Sequence, residues 1–347
     1  MKLKKIKTYE LEKCYSIAPL LYQGKQHILV AAEKINKCLL FDLYGNLEET
    51  VWDTPGGTMS MVQVPGSDGW FLATHKFYSP NDSKEAEIVL VTPKGRDDWQ
   101  VQTIVKLPFV HRFDILTRNG AHYLIACTLK SGHEYKDDWS SPGAVWGCRL
   151  PDEPEGYKEN SMLSLTCLKE GMLKNHGYCR CGGQDDGSGL ISAENGIFRV
   201  TPPDMPDGEW RMEQLTKEPA SDVAAVDFDG DGSLELIAIA PFHGNEIKIY
   251  HLEDGKYQVA YRYEQPAEFG HAIWAGNVYG KPGAVIGYRK EKREILGFTY
   301  ENGYHAAVLE TDAGSANVMR YERDGVECMV SANREINEIA FYEIEKE

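Results

Sequence analysis

The chain has 347 residues and a formal net charge of −16, a length that allows one large all-β domain or two smaller domains with sizeable cores. The acidity argues against nucleic acid and against an anionic membrane surface as partners, because both would repel the protein. No run approaches the roughly 18 apolar residues of a membrane helix, and the basic N-terminus lacks the apolar segment of a signal peptide. We therefore expect a cytoplasmic protein.

Seven similar segments follow one another along the chain, each reading as a short strand, a turn rich in Gly, Asp or Asn, and a more apolar strand. Their starts are 42 to 65 residues apart, and most spacings are close to the roughly 40–50 residues of a propeller blade. The pattern predicts an all-β fold, a single seven-bladed β-propeller domain over residues 1–347. The segments start at Ser16, Thr58, His111, His176, Asp222, His271 and Ala316.

The N-terminal stretch 2–11 is a strand that none of the seven segments uses. A third strand follows each pair, and six segments also supply a fourth, but the seventh reaches the end of the sequence first. We therefore predict that strand 2–11 completes the last blade, which removes an exposed sheet edge. A break into two domains near 151–156 is the structural alternative. The third segment also carries a long insertion, 131–143, at a position where repeat proteins place binding loops.

The stretch from Asp222 to Tyr250 contains an acidic turn between two apolar runs. Oxygen-bearing side chains alternate along DFDGDGSLE, an arrangement in which hard oxygen ligands converge on one cation, and two glycines permit the tight backbone. β-rich runs flank the loop instead of helices, so it is a turn between strands and not an EF-hand. The predicted ligands of a structural calcium ion are Asp227, Asp229, Asp231 and Glu235.

This stretch resembles the core of an FG-GAP/VCBS-type β-propeller repeat, in which an acidic turn joins the first two strands of a blade. The resemblance is specific around 222–250 and implies the propeller fold for the whole chain. GGQDDGSG in the fourth segment and ERDG in the seventh look like degenerate copies of the same turn.

Three segments begin with histidine: His111, His176 and His271. The first strand of each propeller blade lines the central channel, so we expect these side chains to converge at one channel mouth. Imidazoles from separate blades can hold a divalent metal and leave coordination positions for a substrate. The predicted metal is Mn, Zn, Fe or Ni, or alternatively Mg; the competing interpretation is three unrelated polar residues at strand starts.

Further polar residues fall at strand ends on the same predicted face. His75, His243 and Tyr178 are the candidates for a base, because each can take a proton near the metal. Lys130 and Arg289 are the candidates for orienting substrate oxygens. A solvated rim is the alternative interpretation, since strand ends are usually polar.

This set of histidines resembles, more loosely, the propeller lyases that act on sugars, namely oligogalacturonate lyase and the fungal aldos-2-ulose dehydratase. The resemblance implies a metal-dependent carbohydrate lyase or dehydratase with a small carbohydrate substrate, a keto-sugar or uronide. The metal would stabilise an enolate while a base removes the adjacent proton and the C–O bond one carbon further breaks. Two alternatives stay open: a non-catalytic sugar- or protein-binding propeller, and a metal-dependent hydrolase or epimerase that uses the same histidines.

Overall fold

The computed structural model describes residues 1–153, 156–159, 162–181, 187–206 and 208–346. These residues form seven four-stranded sheets, so the predicted all-β, seven-bladed β-propeller is confirmed. Strand β1 (Lys2–Glu10) pairs antiparallel with β28 (Glu338–Glu345), with Lys2 opposite Glu345. The prediction that an N-terminal strand completes the last blade is therefore confirmed as well. Within the described residues, no helix is long and apolar enough to cross a membrane.

The described chain divides into two compact units, Lys13–His176 with Thr201–Arg211, and Met1–Glu12 with Gly177–Val200 and Met212–Glu347. We call them the three-sheet unit and the four-sheet unit after the sheets they contain. The prediction of a single domain over 1–347 stays a prediction.

The three-sheet unit holds sheets β2–β5, β6–β9 and β10–β13, each with its strands in sequence order. One core joins the first two sheets through residues such as Leu29, Leu40 and Phe71, all fully buried. A short helix, α1 (Gly156–Glu159), precedes β13. The strands are β2 (Cys14–Tyr22), β3 (Lys25–Ala32), β4 (Cys38–Phe41), β5 (Leu47–Trp52), β6 (Met61–Gln63), β7 (Phe71–His75), β8 (Glu87–Gly95), β9 (Asp98–Lys106), β10 (Val110–Arg118), β11 (Ala121–Thr128), β12 (Gly143–Arg149) and β13 (Thr166–Met172).

The four-sheet unit holds sheets β14–β17, β18–β21, β22–β25 and β26–β28, the last completed by β1. A single 3₁₀ turn, Arg334–Ile336, lies between β27 and β28. The strands are β14 (Gly177–Arg180), β15 (Gly189–Ala193), β16 (Gly196–Thr201), β17 (Arg211–Thr216), β18 (Asp222–Val226), β19 (Glu235–Ala240), β20 (Glu246–Glu253), β21 (Lys256–Arg262), β22 (Gly270–Val278), β23 (Lys281–Tyr288), β24 (Ile295–Tyr300), β25 (Tyr304–Glu310), β26 (Asn317–Arg323) and β27 (Val326–Asn333).

Burial follows strand position within a sheet. The second strand β19 is buried at every residue, whereas the fourth strand β21 alternates between exposed and half-buried positions. Central strands have packed surfaces on both faces, and this is why their sequences are apolar runs; outer strands keep one face in water and alternate. The eight cysteines form no disulfide within the described residues.

Candidate functional site

The histidines that begin three segments share one backbone setting. A residue with positive φ stands two positions earlier in the chain: Phe109 before His111 and Phe269 before His271. The strand register shifts at His111, because Val110 pairs with Thr128 and the next residue in the strand register is Arg112, so the register passes over His111. The register shifts in the same way at His271. A β-bulge leaves its extra residue unpaired and re-aims its side chain. The bulge, and not strand alternation, therefore sets the direction of these two histidines.

The same setting recurs in six of the seven repeats. The residues with positive φ are Lys13, Gly57, Phe109, Lys174, Phe269 and Gly314. Two positions later stand Tyr15, Met59, His111, His176, His271 and Ala316, all of them buried. Sequence reasoning began the first repeat one residue late, at Ser16, and so missed Tyr15 as the counterpart of the histidines. The polar aromatic side chain directly before the apolar alternation was the signal.

In the three-sheet unit, His111 and His176 lie side by side, with ring centroids 4.3 Å apart. The Nδ1 atom of His111 is 3.0 Å from the carbonyl oxygen of His176, and its Nε2 atom is 3.4 Å from the hydroxyl oxygen of Tyr15. A carbonyl oxygen can only accept, so Nδ1 carries the proton and the lone pair of the neutral ring is on Nε2.

In the four-sheet unit, His271 shows the same arrangement. Its Nδ1 atom is 2.8 Å from the carbonyl oxygen of Ala316, and its ring stacks 5.4 Å from that of His243. His243 lies between Phe242 and Phe269, with ring centroids at 4.0 and 4.3 Å. The four-sheet unit thus brings two of the predicted site residues together, in an aromatic setting.

The two predicted catalytic residues of the three-sheet unit, His75 and Lys130, are both buried. The ring of His75 is buried edge-on against Trp52, with centroids 4.7 Å apart, and burial lowers the pKa of His75 to about 4. The ammonium of Lys130 is fully buried and donates to Asn81 Oδ1 at 3.0 Å and to the carbonyl oxygen of Asp138 at 2.7 Å. Lys130 therefore anchors the long insertion 131–143 through its buried hydrogen bond to Asp138.

The other predicted catalytic residues, Arg289 and Tyr178, lie with His243 in the four-sheet unit. Arg289 forms an ion pair with Glu335, at 2.6 and 2.8 Å, and covers the ring of Phe269 at 4.8 Å. Tyr178 is half-buried in β14, where a Cβ atom at Gly189 would come within 2.6 Å of its ring. A side chain at position 189 would therefore displace the tyrosine.

The acidic turn connects β18 to β19, as predicted. Asp227 accepts hydrogen bonds from the backbone N–H groups of Gly230 at 2.8 Å and Gly232 at 3.1 Å. Asp229 and Asp231 each accept one from the residue two positions later, at 3.1 and 2.7 Å. Each carboxylate thus holds the turn with one oxygen or more, and one ligand oxygen from each of the three aspartates falls within 4.8 Å of the others. Of the degenerate copy GGQDDGSG in the fourth segment, 182–189, residues 182–186 lie outside the described residues.

A histidine that sequence reasoning missed lies against this turn. The Nδ1 atom of His251, in β20, is 2.9 Å from Glu235 Oε1 and 3.6 Å from Asp229 Oδ2, while its Nε2 atom is 3.9 Å from Asp231 Oδ2. The hydrogen bond to Glu235 is the main cause that raises the pKa of His251. The Glu235 side chain is completely buried, which raises its own pKa, and its second oxygen accepts the N–H of Phe228 at 2.6 Å.

A pocket of about 550 Å³ opens beside the acidic turn, entirely within the four-sheet unit. Aromatic and aliphatic side chains form much of its wall, and charged groups of both signs border it. Tyr300 is 38% exposed. The apolar lining residues include Phe228, Val278, Tyr279, Pro282, Tyr300 and Ile344, and the charged ones are Asp229, Lys281, Glu301, Glu345 and Lys346.

Comparison with known proteins identifies the fold. No protein-family model matches the sequence, and no curated protein matches it either. Among solved structures, the β-propeller domain of Myceliophteria thermophila Cps50 (Swd1) is similar over 99% of this chain and 100% of its own, with a TM-score of 0.58 and 9% identity. The Dos1 propeller is similar over 99% of this chain and 96% of its own, with a TM-score of 0.60 and 7% identity. At identities this low, the similarity establishes the fold and no function: the chain is an all-β, seven-bladed β-propeller.

Proposed function

We propose that this chain is a non-catalytic β-propeller that binds a small carbohydrate in the pocket of the four-sheet unit. The observation that carries the proposal is the composition of that pocket, about 550 Å³ in volume, with aromatic rings and charged groups of both signs around one space. Ligand pockets of this size are typically lined by aromatic side chains, with a few polar groups that fix orientation.

A sugar suits such a wall because it presents C–H groups on one face and hydroxyls around its edge. Tyr300 offers a partly exposed ring face for the C–H groups. Lys281 can donate to sugar hydroxyls, and Glu301 can accept from them. The predicted calcium ion on Asp227, Asp229, Asp231 and Glu235 is part of this proposal, since Asp229 belongs both to the turn and to the pocket wall.

The placement of the predicted catalytic residues favours binding over catalysis. The Lys130 ammonium donates buried hydrogen bonds to Asn81 and Asp138, and the Arg289 guanidinium forms an ion pair with Glu335. His75 is 2% exposed. Groups that must touch a substrate usually border an accessible cleft, whereas groups that hold loops are buried and paired.

Titration calorimetry with a panel of neutral sugars, keto-sugars and uronides tests the proposal. We expect binding of at least one sugar without turnover, and Tyr300→Ala should weaken that binding about tenfold or more through the lost ring contact. Tyr135→Ala, at a 68% exposed tyrosine of the three-sheet unit, is the matched control. Sugar binding that survives Tyr300→Ala, or the absence of any sugar binding, would overturn the assignment.

A second function, metal-dependent β-elimination, is favoured by the tautomers of His111 and His271. Each ring has Nδ1 on a backbone carbonyl, the arrangement that directs the Nε2 lone pair of metal-binding histidines. In this proposal His111, His176 and His271 would hold Mn, Zn, Fe, Ni or Mg, which would supply polarisation of a substrate carbonyl. A base, namely His243, His75 or Tyr178, would take the adjacent proton, and the C–O bond one carbon further would break to release water or a sugar. Lys130 or Arg289 would orient the substrate.

Metal analysis and product absorbance test this second function. His271→Ala should lower the content of bound transition metal and abolish the formation of an absorbing unsaturated sugar from keto-sugars or uronides. His305→Ala, at an exposed histidine of the same unit, should change neither. If the His271 variant keeps both its metal and its turnover, or the wild-type protein shows neither, β-elimination at these histidines is excluded.

A further inference from the structure

We propose that Asp229, Glu235 and His251 form a binding site for a divalent transition metal of the Zn²⁺ or Mn²⁺ class. This inference goes beyond carbohydrate binding and does not depend on it. The three residues come from the turn, from the start of β19 and from the neighbouring strand β20. One ligand atom of each lies within 4.8 Å of the other two.

The distances suit coordination by a small metal ion. Zn–N and Zn–O bonds are about 2.0–2.2 Å long, so two ligand atoms on one metal stand roughly 3.0–3.5 Å apart for octahedral to tetrahedral angles. The Nδ1 atom of His251 lies 2.9 Å from Glu235 Oε1 and 3.6 Å from Asp229 Oδ2. Both distances from Nδ1 are within a few tenths of an ångström of that range, and the Asp229 and Glu235 oxygens lie within 4.8 Å of each other. Closure of the two carboxylates around one ion would put that ion in place of the proton between His251 and Glu235.

The far side of the imidazole faces a carboxylate. A histidine that binds metal through one ring nitrogen usually directs its other N–H toward a carboxylate, which fixes the ring and raises its basicity. Asp231 Oδ2 lies 3.9 Å from Nε2 of His251, longer than a hydrogen bond. A small movement of the Asp231 side chain would let it accept the Nε2–H of a metal-bound His251.

The donor set selects the class of ion. Calcium takes oxygen ligands at 2.3–2.6 Å, which Asp227, Asp229 and Asp231 provide on the outer side of the turn. An imidazole nitrogen with two carboxylates suits Zn²⁺, Mn²⁺ and their neighbours instead. Because Asp229 belongs to both groups, and Glu235 is also one of the predicted calcium ligands, the two ions should compete.

The buried carboxylate of Glu235 is a rigid ligand for the proposed transition metal. Glu235 is completely buried, and the N–H of Phe228 fixes its Oε2 atom at 2.6 Å, so that Oε1 is the oxygen directed at His251. A preorganised ligand loses little freedom when the ion binds, which favours affinity.

Calorimetry on chelator-stripped protein, titrated separately with ZnCl₂, MnCl₂ and CaCl₂, tests the proposal. We expect His251→Gln to weaken Zn²⁺ or Mn²⁺ binding about tenfold or more and to change calcium affinity less than about threefold. Asp227→Asn should do the converse, and excess calcium should weaken Zn²⁺ binding to the wild-type protein. His305→Gln is the control for a histidine of the same unit outside the turn.

A crystal soaked in ZnCl₂ gives a second readout that needs no variant to fold. An anomalous peak between Asp229, Glu235 and His251 is expected. The proposal is overturned if His251→Gln binds Zn²⁺ and Mn²⁺ as the wild-type protein does, or if the anomalous signal lies only at other residues. Failure of the sugar titrations would leave both of these measurements unchanged, so the two proposals fail separately.

Discussion

His271 donates its Nδ1–H to the carbonyl oxygen of Ala316 over 2.8 Å, and Ala316 holds the same position in the following repeat. His111 repeats this relationship with the carbonyl oxygen of His176, at 3.0 Å. Both rings are buried, so the backbone of one repeat fixes the side chain of the repeat before it. This bond decides the tautomer of each histidine, and therefore which nitrogen is basic.

Removal of the His271 ring should destabilise the protein whether or not a metal binds. His271→Ala deletes a buried ring and leaves the Ala316 carbonyl without this donor, and we expect a loss of about 1–3 kcal/mol in the free energy of unfolding. Urea unfolding measured by tryptophan fluorescence checks this value. His305→Ala, on the surface, should cost less than about 0.5 kcal/mol. Equal losses in the two variants would contradict a structural role for the His271 bond.

Lys130 should matter for the order of the insertion 131–143. Lys130→Met keeps the length of the side chain but removes the donor to Asn81 and Asp138, and we expect destabilisation of about 2–3 kcal/mol. Hydrogen exchange of the backbone amides in 131–143 should accelerate at the same time. Lys136→Met, at an exposed lysine of the same insertion, provides the comparison. Unchanged exchange in the Lys130 variant would refute the anchoring role.

His75 should make the protein less stable in mild acid. Burial lowers the pKa of His75 in the folded protein from 6.5 to about 4. Below about pH 6.5, His75 therefore binds a proton in the unfolded chain but not in the folded protein. Stability is therefore lost as the pH falls from 6.5 toward 4, by about 2 kcal/mol between pH 6.5 and 4.5. His75→Gln should reduce this pH-dependent loss by that amount in paired urea titrations. A variant whose loss equals that of the wild-type protein would show that His75 is not its cause.

Calcium should stabilise the four-sheet unit through the acidic turn. Binding to the folded state alone raises the free energy of unfolding by about 2.7 kcal/mol at an ion concentration 100 times the dissociation constant. Thermal unfolding with excess calcium and with chelator measures the difference. Asp227→Asn should abolish most of it, whereas Asp254→Asn, in an exposed turn of the same unit, should preserve it. A calcium effect of equal size in both variants would place the ion elsewhere.

The period of the sequence was sufficient to predict the fold. Apolar second strands such as β19 and the turn residues between strands are local features, and their recurrence predicted seven blades and the use of stretch 2–11 as the missing strand. The acidic turn was predictable for the same reason, since its aspartates and glycines are neighbours in the chain.

The contacts of individual side chains could not be predicted in this way. His251 meets Glu235 because β19 and β20 pair in a register that places Leu236 opposite Tyr250, and a sequence does not state its register. Lys130 has a chain-distant amide and a loop carbonyl as partners, and neither leaves a pattern in the sequence. The direction of His111 follows from a bulge, which breaks the alternation on which strand-face assignments depend.

The recurring positive-φ residue and the buried position two residues later have an evolutionary consequence. Because backbone geometry creates this position, its occupant can be exchanged in one of the six repeats while the other five keep theirs, as the series of Tyr15, Met59, His111, His176, His271 and Ala316 illustrates. Such a scaffold can acquire or lose a ligand by single substitutions, without a new fold and without coordinated changes elsewhere.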